Sequence, residues 1–316
     1  MPAKQREIIG GRELTFSNLD KVLWPKDGFT KGDLIAYYLS VSRWLLAHLR
    51  DRPLTLERYP DGIGAGSFFE KQAPRFKPEW IPTVALSADQ QSRKISYILC
   101  NDEATLAWCA NLAAIVLHVW YSRVPTEDHP DYALFDLDPW EGCTMKTLAR
   151  VALFFRDALA AIGLHPLVKT SGGSGLHVVV PLQPRNEYEA VKQFAEIVAR
   201  RVAAELPAQT TLERTIARRP RGKVYLDWVQ VGRGKTVVPP YAVRARAGAP
   251  VSMPLEWSEV EGFAAKRGGD PPKLIAQWNI RNAAGRLKER GDLWSGRAWL
   301  ARPLEPAVRR AQRLWR

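Results

Sequence analysis

The sequence predicts an α+β fold, a mixed or antiparallel sheet flanked by helices with a smaller N-terminal lobe ahead of it. Three observations carry that reading. The middle of the chain runs strand, helix, hairpin, helix, strand. The hairpin is a pair of apolar strands, HPLVKT and LHVVVPL, joined by SGGSG, a short turn that suits antiparallel pairing. The 316 residues are 46% hydrophobic and 25% charged, enough for a core of ordinary size.

The elements follow in order. ELTFSNLDKVLWP starts as a strand and then turns. TKGDLIAYYLSVSRWLLAHLR reads as an amphipathic helix: Thr30 is its N-cap, Asp33 takes the third helical position where a capping box prefers Glu or Gln, and Leu34, Tyr37, Tyr38, Val41, Leu45 and Leu49 recur at helical spacing. PLTLERYP alternates as a strand. DGIGAGSFFEKQAP reads as a Gly-rich loop with two adjacent phenylalanines, and NDEATLAWCANLAAIVLHV, roughly residues 101–119, as a second helix. YALFDLD is a strand. TMKTLARVALFFRDALAAIG is a helix with Leu148, Phe155, Leu159 and Ile162 on one stripe and Gly163 as its stop. EYEAVKQFAEIVARRVAAELP is a helix ended by proline, and GKVYLDWVQ a further strand. From about residue 271 the chain is Arg-rich with a possible terminal helix.

No run of 18 apolar residues suggests a membrane span, and MPAKQREIIGGRE has no apolar segment of a secretory signal. Three cysteines at no metal-ligand spacing point to packed thiols in a reduced, cytoplasmic setting. Forty-six Lys and Arg against 33 Asp and Glu give a net charge of +13, which attracts polyanions, nucleic acid first.

The chemistry centres on YALFDLDP. Along a strand side chains alternate, so Leu134, Asp136 and Asp138 point one way and Ala133, Phe135 and Leu137 the other. Two carboxylates a few ångströms apart repel, and a divalent cation with oxygen ligands relieves that repulsion. Asp227, between apolar residues in KVYLDWVQ, is a third acid in a strand. Three such aspartates are the layout of two-metal phosphoryl or nucleotidyl transfer. Downstream, Ser171-Gly172-Gly173-Ser174-Gly175 offers backbone N–H groups for an anion nest and two hydroxyls as donors, and His177 opens the following strand. It is not a Walker A loop, because the GK[ST] ending is missing and the turn lies between strands.

FDLDP, TSGGSGLH and KVYLDW, in that order, resemble the three motifs of the polymerase domain of bacterial DNA ligase D, a branch of the archaeo-eukaryotic primase superfamily. NLDKVLWPKDGFTKGDLIAYY, RYPDGI, SFFEKQAP, GKTVVPPYAVRAR and PVSMPLEW are similar to that family as well, so the resemblance covers about residues 12–285. It implies a primase-polymerase domain over residues 1–285, with an N-terminal lobe at about 13–125 and a primase-type catalytic core at about 130–250, followed by a basic tail at 286–316. It implies a template-directed nucleotidyltransferase of non-homologous end joining that fills gaps, prefers ribonucleotides and uses two Mn²⁺ or Mg²⁺ ions. By position, Asp136, Asp138 and Asp227 match the metal-binding aspartates. Ser171 and His177 match the triphosphate motif, with Gly172, Gly173 and Ser174 in its turn. His118 matches a histidine of the nucleotide pocket, and Lys235 and Arg244 match basic residues near nucleotide or DNA. Lys21 and Lys31 match lysines that hold the 5′-phosphate across a gap, and Phe68 and Phe69 an aromatic pair that stacks on the template. The implied partners are DNA ends and gapped DNA, nucleoside triphosphates, Ku, and a ligase acting in trans; a monomer is expected.

One departure stands out. The family turn often reads S-G-G-K-G, and Ser174 occupies the lysine position here, which leaves Lys169 or Lys235 to compensate. No K-x-D-G adenylation site is present: in WPKDGF, Lys26 directly precedes Asp27. Two other classes compete. A D-x-D phosphatase expects D-x-D-x-[TV], whereas Pro139-Trp140 follows here. A DNA-end binding module with a degenerate site gains nothing from three acids facing DNA, which would repel its backbone.

Overall fold

The computed structural model describes residues 4–87, 93–266, 268–296 and 300–315. Its fold is α+β. In chain order it forms β1 (Lys4–Ile9), β2 (Arg12–Ser17), β3 (Val22–Trp24), β4 (Phe29–Thr30), α1 (Lys31–Leu49), β5 (Pro53–Arg58), β6 (Phe68–Glu70), β7 (Thr83–Leu86), β8 (Ile95–Leu99), α2 (Glu103–Asn111) and β9 (Ala114–Trp120). There follow β10 (Tyr132–Pro139), α3 (Met145–Ala161), β11 (Leu167–Thr170), β12 (Leu176–Pro181), α4 (Tyr188–Glu205), β13 (Thr210–Thr211) and β14 (Val224–Asp227). The remainder is β15 (Thr236–Val237), β16 (Pro254–Leu255), α5 (Trp257–Ala265), α6 (Pro271–Ile275), α7 (Ala283–Arg290) and α8 (Leu304–Leu314). No described helix is long and apolar enough to cross a membrane.

The chain divides into two units. The first comprises Met1–Pro125, Thr236–Ser252 and Trp278–Asp292. Its main sheet runs β15-β9-β5-β8-β7, with β6 also pairing β5. α1 starts where the sequence signals place it. Thr30 accepts from the Asp33 N–H at 3.1 Å, and Asp33 accepts from the Thr30 N–H at 2.7 Å, a reciprocal capping box. Leu34, Tyr38, Val41, Leu45 and Leu49 are fully buried along one side of the helix.

The long helix expected over residues 101–119 is a short helix followed by a strand. α2 stops at Asn111, and Ala113 takes a left-handed φ of 55° that no helix continues through. AIVLHVW then pairs with β5, with Leu54 opposite Val119, Thr55 opposite His118, and Glu57 opposite Val116. β-branched residues in an apolar run favour a pleated, buried strand once a partner is available. Phe68 and Phe69, expected in a loop, lie in β6, opposite Arg58 and Glu57.

The second unit comprises Thr126–Lys235, Met253–Gln277 and Leu293–Arg316. Its sheet runs β13-β14-β10-β12-β11-β16 and is antiparallel except for the β13–β14 edge. α3 is capped by the Thr144 side chain and ends before Gly163 at φ +85°. α3 and α4 cover one face of the sheet: Phe135 of β10 meets Phe155 at 4.9 Å and Phe194 at 6.5 Å between ring centroids. Burying such a ring cluster is worth several kcal/mol, about 1.5–3 per side chain. In the C-terminal stretch, Leu287 of α7 is buried in the first unit, and Leu304, Ala307 and Ala311 of α8 are buried in the second. Residues 297–299 and Arg316 of the Arg-rich tail lie outside the described residues.

Candidate active site

β10 is the central positioning element of the second unit. Asp136 stands directly opposite Asp227 of β14 on one side and His177 of β12 on the other; His177 in turn stands opposite Lys169 of β11. Directly opposed residues of antiparallel strands share a face, with Cβ atoms about 4.5–5.5 Å apart. A transverse row Asp227–Asp136–His177–Lys169 therefore crosses four strands. Asp138, two residues along β10 and opposite Tyr225, adds a third carboxylate on the same face. The two helices take the Phe135 face, so the ionisable groups have the other.

The side chains in this row are engaged. His177 Nε2 lies 3.3 Å from Asp136 Oδ1. Asp227 accepts from the Val229 N–H at 3.1 Å and from the Gln230 amide at 2.7 Å. Lys235 donates to the Val229 carbonyl at 2.5 Å; desolvation lowers its pKa, and the charge of Asp227 offsets part of that. Lys169 and His177 are both buried, 1% and 5% exposed. Among the described residues, no group of three His, Cys, Asp or Glu side chains is placed to hold a metal ion by itself. The register puts the three carboxylates on one face of the sheet, and carboxylate oxygens are donors of the kind hard divalent cations take together with waters and phosphates.

The turn before β12 differs from the anion nest suggested by its sequence. Ser171 Oγ accepts from the N–H groups of Gly173 and Gly175, both at 3.1 Å, and the Ser171 N–H donates to the Gly175 carbonyl at 2.9 Å. Two of the expected anion donors are thus used inside the turn, and Ser171 is the clamp that shapes it. Its hydroxyl proton is still available to donate. Gly175 passes so close to β10 that a Cβ there would meet the Leu137 carbonyl oxygen at 2.3 Å and Asp138 Oδ1 at 3.4 Å.

The first unit holds the other sequence candidates. His118 Nε2 is 3.1 Å from Glu57 Oε2, and the Tyr59 hydroxyl donates to Glu57 Oε1. Burial pushes the Glu57 carboxyl up, but the hydrogen bonds from His118 and Tyr59 outweigh it and leave its pKa below the usual glutamate range. Burial lowers the pKa of His118, and the charge of Arg244 lowers it further against the pull of Glu57. Tyr59 is pushed up to about 12 by burial and by its bond to Glu57. The Phe69 ring lies 5.4 Å from the His118 ring, whereas Phe68 lies under the Arg58 guanidinium at 5.1 Å. Adjacent strand residues face opposite sides, so the two rings lie on different faces of β6. Sequence reasoning missed Glu57 and Tyr59; the acid at an alternating position of PLTLERYP was the available signal.

Lys21 and Lys31 are brought together, because the Lys31 N–H donates to the Lys21 carbonyl at 2.8 Å at the start of α1. Lys21 Nζ pairs with Asp61 at 2.7 Å. Lys31 is buried with Nζ on the Asn111 carbonyl at 3.2 Å, and desolvation, followed by the charge of Lys21, lowers its pKa.

The sequence model of the primase-polymerase domain of LigD matches residues 30–294. The multifunctional non-homologous end joining DNA repair protein LigD of Mycobacterium tuberculosis H37Rv is 36% identical over 264 residues, which cover 81% of this chain and 34% of that protein. The bifunctional non-homologous end joining protein LigD of Bacillus subtilis 168 is 32% identical over 250 residues, 79% of this chain and 40% of that protein. The chain therefore spans about a third to two-fifths of the length of these relatives. Among solved structures, the polymerase domain of Mycobacterium tuberculosis ligase D in complex with DNA superposes with a TM-score of 0.80 at 34% identity, covering 89% of this chain and 96% of that one.

Proposed function

The chain belongs to the LigD primase-polymerase family, and on that premise we propose that it is a template-directed nucleotidyltransferase of DNA end joining. It extends primer 3′ ends and fills gaps at double-strand breaks, with a preference for ribonucleotides. The observation that carries the reading is the acid face of β10: Asp136 opposed to Asp227, with Asp138 beside them and the Ser171 turn ending at His177.

Asp136, Asp138 and Asp227 would hold two Mg²⁺ or Mn²⁺ ions, which supply Lewis acidity at the attacking hydroxyl and at the leaving phosphates when bound. The remaining tasks belong to the protein's own groups. His177, buried against Asp136, fixes the orientation of that carboxylate and presents a donor toward a bound anion. Gln230 and the Val229 N–H hold the Asp227 carboxylate in place before substrate arrives. Ser171 offers its hydroxyl proton from a turn that its own oxygen keeps rigid. Lys169, buried opposite His177, is a basic side chain of this face in a chain whose turn carries Ser174 rather than lysine.

In the first unit, Lys21 and Lys31 at the positive end of the α1 dipole form a site for a terminal 5′-phosphate. His118 and Arg244 serve the nucleotide, and Phe68 and Phe69 serve the template, each from its own face of β6. Gapped DNA with a 5′-phosphate, ribo- and deoxynucleoside triphosphates, Ku and a separate ligase are the partners this reading assigns, to a monomer in the bacterial cytoplasm. Contacts to DNA fall mostly on phosphates, so sequence preference is low and salt dependence steep.

The test is primer extension on a gapped duplex bearing a 5′-phosphate, with Mn²⁺ and either ribo- or deoxynucleotides. Templated incorporation that favours ribonucleotides, needs the phosphate and vanishes in Asp136→Ala is the expected result. Gap binding by the wild type without any incorporation would replace this reading with that of a binding module.

A further inference from the structure

The three exposed phenylalanines of the first unit fall between residues 68 and 76. Phe76 is the most exposed of them at 66%. It is not on a slack loop. The Ala73 N–H donates to the Ser96 carbonyl at 2.7 Å, the Lys77 N–H to the Pro74 carbonyl at 3.0 Å, and the Ile81 N–H to the Pro78 carbonyl at 3.1 Å. Lys77 Nζ reaches the Ile81 carbonyl at 3.0 Å. Two prolines, Pro74 and Pro78, restrict the same stretch. The backbone thus holds a large apolar ring out in water, with its centroid 6.3 Å from that of Trp108.

The surroundings of the ring are cationic. Lys71 and Arg75 are exposed, and neither has an ion-pair partner among the described residues. Glu79 is the one exposed acid of Lys71–Trp80, and Glu70 beside it is engaged by Arg58 at 3.2 Å. Arg12 lies 4.4 Å over the Trp80 ring and pairs with Asp102 at 3.8 Å. A surface that docks a protein through apolar contact clusters aliphatic and aromatic side chains; here the exposed Phe76 ring adjoins Arg75 and shares its stretch with Lys71, neither ion-paired among the described residues. Aromatic faces with lysine and arginine alongside suit a chain that carries flat bases on a phosphate backbone. Inside a duplex the base faces are stacked on one another, so an occupant whose bases are free along its length is single-stranded.

We propose that Phe76, with Lys71 and Arg75, is a stacking site for an unpaired base of single-stranded DNA. The inference rests on the polymerase reading only for the choice of DNA as the nucleic acid. The experiment is fluorescence anisotropy of the full chain with a labelled oligothymidine and with a labelled blunt duplex, at several salt concentrations. Phe76→Ala is expected to weaken single-strand binding about tenfold and to leave duplex binding unchanged, while Phe76→Trp keeps single-strand affinity within about twofold. Arg75→Ala is expected to flatten the salt dependence on the single strand by roughly 0.7 in log–log slope. Equal single-strand binding by wild type and Phe76→Ala would overturn the proposal. So would an equal loss on the duplex, or a change in self-association without a change in DNA binding. Single-strand binding that depends on Phe76 in a wild type that extends no primer would leave the stacking site standing and remove the polymerase reading. Extension by the wild type with binding indifferent to Phe76 would do the reverse.

Discussion

Replacing Gly175 with alanine tests the idea that the Ser171 turn is pressed against the acid strand. Gly175 is not one of the glycines with a left-handed φ, so the backbone strain of that region does not bear on an alanine there. The obstacle is contact. A Cβ at this position lies 2.3 Å from the Leu137 carbonyl oxygen and 3.2 Å from its carbon. Closest tolerable contacts are near 3.2 Å, so β10 and the turn must separate by roughly 0.9 Å, because the two nearest atoms belong to the Leu137 backbone and cannot swing aside. Overpacking of this kind costs about 1–3 kcal/mol of stability. The separation also falls next to Asp138, and a displacement of about 1 Å at reacting groups lowers rates roughly a hundredfold. The assay is urea unfolding alongside steady-state extension on a gapped duplex. Gly66→Ala is the control, since nothing lies within 4 Å of a Cβ there. Wild-type stability and rate in Gly175→Ala would refute the close approach and, with it, the rigid turn.

Three further outcomes are expected. Asp227→Asn keeps both hydrogen-bonding partners within reach but removes a carboxylate from the acid face; extension should fall by about a thousandfold or more with melting unchanged, and retention of a tenth of the rate would remove Asp227 from the metal set. Glu57→Gln tests the His118 cluster through pH. The folded Glu57 carboxyl titrates below its ordinary value, so its stabilising contribution is fully present above about pH 4.3 and is lost as pH falls through the depressed folded value. Wild type should therefore exceed Glu57→Gln in urea midpoint at pH 7, and the gap should narrow as pH falls below about 4; a gap that stays constant into acid would contradict an ionised Glu57 carboxylate held by His118 and Tyr59. Lys31→Met removes a buried amine whose folded pKa is depressed, so the protonated form costs stability below that pKa and methionine relieves the cost. Stability should hold or rise while the preference for a 5′-phosphorylated gap over a 5′-hydroxyl one disappears, and an unchanged preference would move the phosphate site elsewhere.

What the sequence made legible follows from how local each signal is. The cap at Thr30, the stop at Gly163 and the alternation of DYALFDLDP each depend on a few neighbouring residues, and all three are in the structure. Alternation also places Asp136 and Asp138 on one face without knowledge of any other strand. The expected helix over 101–119 failed because an apolar run of this length fits either a buried helix or a buried strand, and the break falls at Ala113, a residue that gives no warning of its positive φ. That error hid Glu57, since only the pairing of β9 with β5 brings Glu57 and His118 to one face.

The same division explains the site. Residue type told which groups could bind an anion; it could not tell which of them the fold already satisfies. Ser171 was read as a donor from its hydroxyl, yet its oxygen receives two N–H groups of its own turn, and those N–H groups had been counted as donors to phosphate. Removing them from the anion's reach leaves fewer neutral donors around this strand end, in a chain that carries Ser174 where the family often has lysine. Basic groups fixed by register rather than by motif then carry more of the burden on this face. Lys169 is such a group. It lies outside the SGGSG turn, yet antiparallel pairing sets it opposite His177 and two strands from Asp136, buried at 1% exposure. A buried ammonium is tolerated only where negative charge or strong acceptors surround it, and the row it belongs to contains two carboxylates. The motif and the register therefore describe one electrostatic balance, of which the motif alone shows half.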